Sequence, residues 1–467
     1  MAGIGFRLRN LLKEETYLSD ITAHLYSAVI AAGPWIFSII SLAAITTFSI
    51  PLLSKSELAL FRATMVYTFI FSLVINGMLQ LLISKFIADR FYLRDPTLGT
   101  TLTGTICLTA GISFVSATVF YLFSNVSPLY KVAAIGLFVT MSCLWLVMSF
   151  LSVLRDYKTI SFAFLEGNII GLGTAMILGR HFRLEGWLIG FSLGQATILF
   201  VLIYQVLRET GWQESNFWDF YRYFKLFPQL VFIGLFYSLA IWVDKWILWF
   251  SPQGYAVWSL FRTHYPYDSA MFLAYLTVVP TLGVFLLKVE TSFYEKFRGY
   301  YDAILDRAGL KELEMMIEEI KSSLRESFGT LLRIQGLITI LAILFAPKIL
   351  RLIGWSPLQL GIFRLGTFGS FFHIMALITI IILCYFEFWK AALLVTGTFL
   401  VTNTLFTLIT LKLGPAYYGL GYAVSSLLTF IVAVTVLWHN LKSLNYRTFS
   451  GQPVPPAIIP LPNFDKD

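Results

Sequence analysis

The sequence predicts an all-α polytopic membrane protein with about twelve transmembrane helices in two six-helix lobes. The 467 residues are 57% hydrophobic and only 13% charged, with a mean hydropathy of +0.76, and long apolar segments recur along the chain. A soluble domain has about 25% charged residues, so this chain has too much apolar surface for a water-facing globule. Most bases behind the formal charge of +8 flank apolar segments, which is typical of membrane topology rather than of nucleic-acid binding.

The apolar segments define the two lobes. Each is close to the length of about 20 residues with which a helix crosses about 30 Å of hydrocarbon. We predict an N-lobe over 23–207 and a C-lobe over 226–438. The spans are 23–50, 58–84, 99–124, 132–153, 160–179 and 184–207 in the N-lobe, and 226–250, 266–287, 329–346, 360–386, 390–411 and 416–438 in the C-lobe.

The distribution of basic residues predicts the orientation. The N-terminus, the even-numbered loops and the C-terminus hold 22 Lys and Arg residues, whereas the odd-numbered loops hold eight. Basic residues concentrate on the cytoplasmic side of membrane proteins. We therefore expect both termini in the cytoplasm.

The two terminal segments lie outside the lobes. Residues 1–22 alternate basic and apolar side chains, which predicts a cytoplasmic helix lying on the inner membrane surface. Residues 439–467 include a proline-rich stretch, which predicts a cytoplasmic and partly disordered tail.

A charged pair stands out in the seventh span. Asp244 and Lys245 lie among Trp242, Trp246 and Trp249. Charges inside a spanning helix are costly unless they face protein or water, so they are candidates for lining a translocation path. Alternatively, the pair lies near the membrane surface, where the tryptophans form an aromatic belt and Lys245 snorkels to the headgroups.

Six further polar residues within or at the edge of spans are candidates for the same path. A buried amide or carboxylate needs a partner, which is either a neighbouring helix or a wet cavity. The arginines either anchor at headgroups or turn inward to form a cationic vestibule for an acidic passenger. Both alternatives stay open for Arg62, Asn76, Gln80, Glu166, Gln195 and Arg364.

Prolines in the opening spans of each half are candidates for a gate. Gly33 and Pro34 lie in the first span, and Pro266 and Pro280 interrupt the eighth. Proline removes a backbone donor and clashes with the preceding turn, so it kinks a helix. A kink with a purely structural role is the alternative.

The predicted cytoplasmic loop 288–328 contains an amphipathic helix over 306–328. Its apolar residues recur at spacings of three and four, and its other faces are acidic overall. A helix that lies on anionic lipid would be basic, so we expect this one to dock against protein, either a cytoplasmic partner or the chain's own loops. The apolar stripe is Leu310, Leu313, Ile317, Ile320 and Leu324.

Motifs for catalysis are missing from the sequence. It contains no phosphate-binding loop of the Gly-x-x-x-x-Gly-Lys type. The five histidines are scattered over different segments, without the spacing of a metal site, and the three cysteines lie in apolar runs. We therefore expect no enzymatic activity, no metal and no cofactor.

Several short motifs resemble the bacterial Pel exopolysaccharide transporter family. They are the opening Met1-Ala2-Gly3-Ile4-Gly5-Phe6, Ala32-Gly33-Pro34-Trp35, Asp244-Lys245-Trp246, Tyr267-Asp268-Ser269 and Val289-Glu290-Thr291. The resemblance implies membership of the superfamily of multidrug, oligosaccharidyl-lipid and polysaccharide exporters. It also implies a bacterial inner-membrane complex for biofilm polysaccharide export, with a cytosolic glycosyltransferase and other membrane subunits as partners.

We therefore predict export of a Pel-type exopolysaccharide across the bacterial inner membrane through a cavity between the two lobes. Three alternatives remain open. A lipid-linked oligosaccharide flippase would use the arginines to bind pyrophosphate, and a cation-coupled exporter of small molecules would need a protonatable carboxylate. A non-transporting scaffold of a polysaccharide synthase would need neither.

Overall fold

The computed structural model describes residues 34, 36–93, 98–154, 156–211, 216–286 and 292–450. The predicted helix over 1–22, Gly33 and the tail beyond 450 lie outside these ranges. Ten of the described helices are long and apolar enough to cross a membrane. The first described helix, α1 (Ile36–Ser49), is apolar but shorter.

The N-lobe is built from α1 and four long helices. α4 packs against the other three long helices, so its apolar side chains are buried on several sides. Arg183 interrupts the last helix with φ 48° and ψ −125°, so that helix contains two spans, as the sequence predicts. The four are α2 (Lys55–Tyr92), α3 (Leu98–Leu122), α4 (Pro128–Leu154) and α5 (Tyr157–Thr210).

In the described residues, the C-lobe contains ten α-helices, one turn of 3-10 helix and a β-hairpin. The two hairpin strands are antiparallel, with Tyr255 opposite Thr263 and an irregularity between Ala256 and Trp258. The elements are α6 (Tyr221–Leu226), α7 (Pro228–Trp249), β1 (Tyr255–Trp258), β2 (Phe261–Thr263), α8 (Tyr265–Leu276), α9 (Val279–Val284), α10 (Tyr294–Leu305), α11 (Leu310–Ile353), α12 (Pro357–Tyr385), α13 (Trp389–Leu413), the 3-10 turn Pro415–Tyr417, α14 (Leu420–Lys442) and α15 (Leu444–Ser450).

The long helices give the molecule two distinct ends. We call the end that carries the β-hairpin the hairpin end, and the opposite end, which carries α10, the long-loop end. Two helices begin at the hairpin end with a capping box, in which a serine and a side chain three residues later satisfy each other's backbone N–H groups. Ser54 and Glu57 start α2 in this way, and Ser356 and Gln359 start α12.

The prediction of about twelve transmembrane helices in two lobes is confirmed. The ten candidate spans, the second half of α5 and the short α1 make twelve. α7 packs against α13, and α12 packs against α8, α11 and α14, so the C-lobe has its own core. The main helix contact between the lobes is that of α2 with α7.

The apolar stripe of the long loop is buried by the chain itself. The predicted loop helix 306–328 and the ninth span form one continuous helix, α11, which contacts α10, α12 and α15. Of the two alternatives, a cytoplasmic partner or the chain's own loops, the structure shows the stripe packed against the chain itself. Leu313, Ile317, Ile320 and Leu324 are at most 6% exposed, and only Leu310, at the start of α11, is open to solvent.

The prolines of the predicted gate differ in position. Pro266 lies in the first turn of α8, where a missing N–H costs nothing, so it does not interrupt the span as predicted. Near Pro280 the span does break, because α8 ends at Leu276 and α9 begins at Val279. Pro34 is helical and buried.

Candidate functional site

The charged pair of the seventh span is turned into the protein. Asp244 is 0% exposed and Lys245 is 4% exposed. The Tyr267 hydroxyl donates to Asp244 Oδ2 over 2.6 Å, and Lys245 Nζ lies 3.4 Å from Asp244 Oδ1. The alternative in which Lys245 snorkels to the headgroups is excluded, because its ammonium group is enclosed by protein.

Other groups of the C-lobe complete the shell of the buried ammonium. Lys245 Nζ donates to the carbonyl of Ile241 over 3.1 Å and to the Tyr275 hydroxyl over 3.4 Å. It also lies 5.0 Å from the ring centroid of Trp242 and 4.9 Å from that of Tyr275. A buried ion pair is tolerated only when its remaining donors find partners, and here they do.

A second carboxylate, Asp268, ties α7 to the start of α8. The Trp249 indole N–H donates to both Asp268 oxygens, over 3.0 and 2.9 Å, and the backbone N–H of His264 donates over 3.1 Å. Burial lowers the pKa of His264. The neutral ring then accepts the Tyr267 backbone N–H through Nδ1 and caps α8.

Polar side chains also join the other helices of the C-lobe. His373 on α12 hydrogen-bonds the Tyr237 hydroxyl of α7 over 3.0 Å and the Tyr422 hydroxyl of α14 over 2.8 Å. Asn403 on α13 donates to the Ala240 carbonyl of α7 over 2.8 Å. Such interhelical bonds hold spanning helices together, so the C-lobe can move as one body.

In the N-lobe, the side-chain amides predicted to line the path form hydrogen bonds with other residues of the same long helix, α2 or α5. Gln195 is fully buried, and its Nε2 donates to Asn168 Oδ1 over 3.4 Å between the two halves of α5. Asn76 donates to Gln80 Oε1 over 2.9 Å, one turn along α2. These contacts are those expected of helix-to-helix and within-helix bonding.

Three predicted path residues lie apart from the charged pair. Arg62, Glu166 and Arg364 are all exposed. Within the described ranges, no hydrogen bond or ion pair joins them to Asp244 or Lys245. The structure therefore does not gather the predicted charges into one site.

The two lobes approach each other closely at a pair of glycines. A Cβ atom on Gly77 of α2 would collide with Ser238, and one on Gly234 of α7 would collide with the Gly77 carbonyl. Small residues let spanning helices come this close. Nearer the hairpin end of the same contact, Phe71 of α2 stacks on Trp246 of α7 with centroids 5.3 Å apart and planes at 4°.

At the hairpin end, the hairpin 255–263 of the C-lobe inserts an aromatic residue into the N-lobe. Phe261 is 0% exposed, and its ring centroid lies 5.0 Å from Tyr67, 5.3 Å from Phe120 and 6.2 Å from Tyr121. We call these four rings with the hairpin the hairpin latch.

Hydrogen bonds reinforce the hairpin latch. The Tyr67 hydroxyl donates to the Arg262 carbonyl over 3.0 Å and accepts the Arg262 backbone N–H over 2.9 Å. The Tyr67 ring stacks on Trp249, with centroids 4.9 Å apart and planes at 9°. Because Trp249 also donates to Asp268, the latch is connected directly to the polar groups of the C-lobe.

At the long-loop end, the lobes are joined by charge. Lys85 Nζ of α2 lies 2.6 Å from Glu387 Oε1, just after α12, and 3.0 Å from Asp89 Oδ1. The Tyr223 hydroxyl donates to Asp89 Oδ2 over 2.9 Å. Glu387 has φ 55°, a left-handed conformation that is unusual for a residue with a side chain. We call these four residues the ion-pair bridge.

A cavity of about 1500 Å³ opens beside the ion-pair bridge. The N-lobe contributes Tyr92 and Glu209 to its lining, and the C-lobe contributes Tyr294, Glu387 and Trp389. Small-molecule sites measure about 300–1,000 Å³, so this cavity has room for a larger ligand. We call it the vestibule.

The sequence offers few signals for these contacts. Tyr67 and Lys85 are ordinary residues of an apolar helix, and nothing in the periodicity of the chain points to their partners. Only the hairpin has a recognisable pattern, because aromatic and β-branched residues follow Gly254. In the portion of the chain that the structure describes, no group of three or more His, Cys, Asp or Glu residues could hold a metal ion.

Comparison with solved structures identifies the fold. The chain is similar to a MOP superfamily transporter from Pyrococcus furiosus, with a TM-score of 0.64 and 14% identity, over 90% of this chain and 96% of that chain. It is also similar to a MATE transporter from Vibrio cholerae, with a TM-score of 0.64 and 14% identity, over 91% and 99% of the two chains. An outward-facing multidrug resistance MATE transporter gives a TM-score of 0.63 at 15% identity, over 90% and 96%. At these identities the likeness establishes the two-lobe transporter fold alone.

Comparison by sequence identifies the family. No curated protein matches the chain. One family profile, described as "PelG: Putative exopolysaccharide Exporter (EPS-E)", matches residues 1–449. That match covers nearly the whole sequence, including both lobes, the hairpin and the long loop. The chain therefore belongs to the PelG family of exopolysaccharide exporters.

Proposed function

We propose that this transporter passes a Pel-type exopolysaccharide across the bacterial inner membrane along the interface between its lobes. One observation carries the proposal. The large cavity of a chain from an exopolysaccharide exporter family lies between the two lobes, with lining residues from both. The protein acts as a conduit without catalysis, and the polymer enters at the vestibule.

The long-loop end faces the cytoplasm in this proposal. Most basic residues flank the spans at this end, in agreement with the distribution of charge in membrane proteins. Both termini then lie in the cytoplasm. A cytosolic glycosyltransferase, together with other membrane subunits of a synthase complex, delivers the growing chain to the mouth of the vestibule.

Export requires the lobes to separate at both closures. The ion-pair bridge stands between the vestibule and the interior, and the hairpin latch stands between the interior and the far side of the membrane. A polymer follows the interface only when both sets of contacts part. The proposal therefore predicts that a covalent link between the lobes stops export.

The test places cysteines at Lys85 and Glu387 in a variant whose native cysteines have been replaced. A short, reducible, bifunctional thiol reagent links the two positions across the lobes. The control pair, at Asp156 and Gln205, lies within the N-lobe, where these side chains are 2.9 Å apart. Secreted polymer is measured in a strain that lacks the gene and carries either variant.

We expect the inter-lobe link to abolish secretion, a reducing agent to restore it, and the control link to leave it unchanged. Undiminished secretion with the lobes linked would reject the path between them. Normal secretion by the strain without the gene would reject the export function itself.

A further inference from the structure

We propose that the vestibule binds an uncharged glycan chain several sugar residues long. This inference rests on the proposed function and adds the chemistry of the passenger at its entrance. The cavity volume of about 1500 Å³ exceeds that of a site for one small molecule. The vestibule is therefore large enough for a segment of polymer.

Aromatic residues from both lobes face the vestibule. Phe91 and Tyr92, at the end of α2, are 47% and 82% exposed, and Tyr294 and Trp389 of the C-lobe are half-buried. Large exposed apolar side chains gathered in one place mark binding surfaces. The faces of a pyranose ring carry C–H groups, and stacking on an aromatic ring removes that apolar surface from water without the need for charge.

The C-lobe wall of the vestibule is packed in advance. Phe386 lies 5.3 Å from Phe297 and stacks on Phe388 with centroids 5.6 Å apart. The Arg447 guanidinium group lies 5.5 Å from the Phe388 ring centroid. A wall that is already ordered loses little entropy when a ligand binds.

The charges of the described residues that line the vestibule cancel. Arg298 Nε lies 3.3 Å from Asp302, and Glu387 bonds Lys85, so two of the acids are already paired. Burial raises the pKa of Tyr301 to about 12, so its phenol is uncharged. Among the described residues that line the vestibule, three acids stand against three bases: Glu209, Asp302 and Glu387, and Arg298, Lys390 and Arg447.

This balance argues against an anionic passenger. Pyrophosphate and carboxylate groups are bound by clusters of uncompensated Arg and Lys. The exposed Arg62 and Arg364 cannot supply such a cluster, because they belong to the opposite, hairpin end. The aromatic surface and the balanced charge together select a neutral chain.

The test measures binding of three soluble probes to the purified full-length protein by calorimetry. Chitohexaose is used in its fully N-acetylated form, which is a neutral hexasaccharide; chitobiose, also N-acetylated, is its disaccharide, and hexagalacturonate is an anionic hexamer. The variants are Tyr92→Ala and Trp389→Ala. Tyr446→Ala is the matched control, because Tyr446 is 74% exposed at the same end but lies outside the vestibule lining.

We expect chitohexaose to bind at least about tenfold more tightly than chitobiose or hexagalacturonate, a difference of about 1.4 kcal/mol. Tyr92→Ala, at a position too exposed to affect folding, and Trp389→Ala should each weaken chitohexaose binding by a similar factor, whereas Tyr446→Ala should not.

Three results would overturn the proposal: no binding of chitohexaose, equal or tighter binding of hexagalacturonate, or equal loss of binding in the Tyr446→Ala control. If any of these occurs while the inter-lobe link still stops secretion, the export function stands and only the vestibule assignment fails.

Discussion

The two ends of the contact between the lobes are closed by different forces. At the hairpin end, a fully buried phenylalanine fills an aromatic pocket, and a tyrosine hydroxyl both donates to and accepts from the backbone of the opposite lobe. At the long-loop end, Lys85 and Glu387 meet with side chains that are 22% and 54% exposed. The stabilisation from buried apolar side chains changes little with salt concentration, whereas exposed ion pairs contribute little and are screened by salt.

This difference predicts unequal strength. Opening the hairpin latch exposes apolar rings and breaks buried hydrogen bonds, which costs several kcal/mol. Opening the ion-pair bridge exchanges the Lys85–Glu387 pair for water at a cost of about 0.2–1 kcal/mol, and the Tyr223–Asp89 hydrogen bond at a cost of about 1.5 kcal/mol. We therefore expect the long-loop end, next to the vestibule, to open more easily than the hairpin end.

The largest effect is expected for Phe261→Ala in the hairpin latch. Removing a buried phenylalanine costs about 3–5 kcal/mol. We expect a lower Tm and faster thiol labelling of a cysteine placed at Ala117, which is 5% exposed and lies one helical turn from Tyr121 of the latch. Phe123→Ala, at a nearby position that is 75% exposed, is the control. Equal labelling rates in the two variants would show that Phe261 does not close this end.

Asp268→Ala tests the link between the latch and the C-lobe. It leaves the buried Trp249 indole N–H and the His264 backbone N–H without their acceptor, at a cost of about 2–3 kcal/mol. Asp268→Asn keeps one side-chain oxygen and should lose less, as measured by Tm. If both variants are equally stable, these hydrogen bonds do not support the latch.

Tyr67→Phe tests the hydrogen bonds of the latch alone. The ring still stacks on Trp249, but the Arg262 N–H and carbonyl lose their partner, at a cost of about 1–2 kcal/mol. Tyr67→Leu should destabilise the protein further, because it also removes the stacked ring. Thiol labelling of Ala117→Cys should follow the same order, and a Tyr67→Phe protein identical to wild type would contradict it.

Lys85→Gln should have the smallest effect, about 0.2–1 kcal/mol. Thiol labelling of a cysteine at Ser238, which is half-buried where α2 and α7 meet, should rise slightly at 0.05 M salt and match wild type at 1 M, where the Debye length is about 3 Å. Lys85→Arg keeps the positive charge beside both Glu387 and Asp89, so it should keep the wild-type rate. A loss of stability as large as that caused by Phe261→Ala would show that the two ends are closed with similar strength.

Much of the architecture follows from the sequence because hydropathy is local. The spans, the break near Pro280, and the two halves of α5 on either side of Arg183 all depend on residues close together in the chain. The charged pair at Asp244 and Lys245 was also recognisable, since charge in an apolar run is conspicuous. Its burial within one lobe was not, because that depends on Tyr267 in the next span.

The closures between the lobes could not be predicted in this way. Tyr67 and Arg262 are 195 residues apart, and Lys85 and Glu387 are 302 apart. Neither pair differs locally from many other residues in apolar helices or their ends. The apolar stripe of α11 shows a second limit of the sequence. Its periodicity predicts that this face of the helix is buried, but it does not identify the part of the protein that buries it.

The uninterrupted α11 has a mechanical consequence. Its 44 residues extend about 66 Å, roughly twice the thickness of the hydrocarbon layer. Packed against α12 in the C-lobe, it works as a lever arm: tilting that lobe by about 10° would swing a tip about 35 Å away through about 6 Å. A protein bound at Leu310 would therefore move with each transport cycle without contacting the polysaccharide.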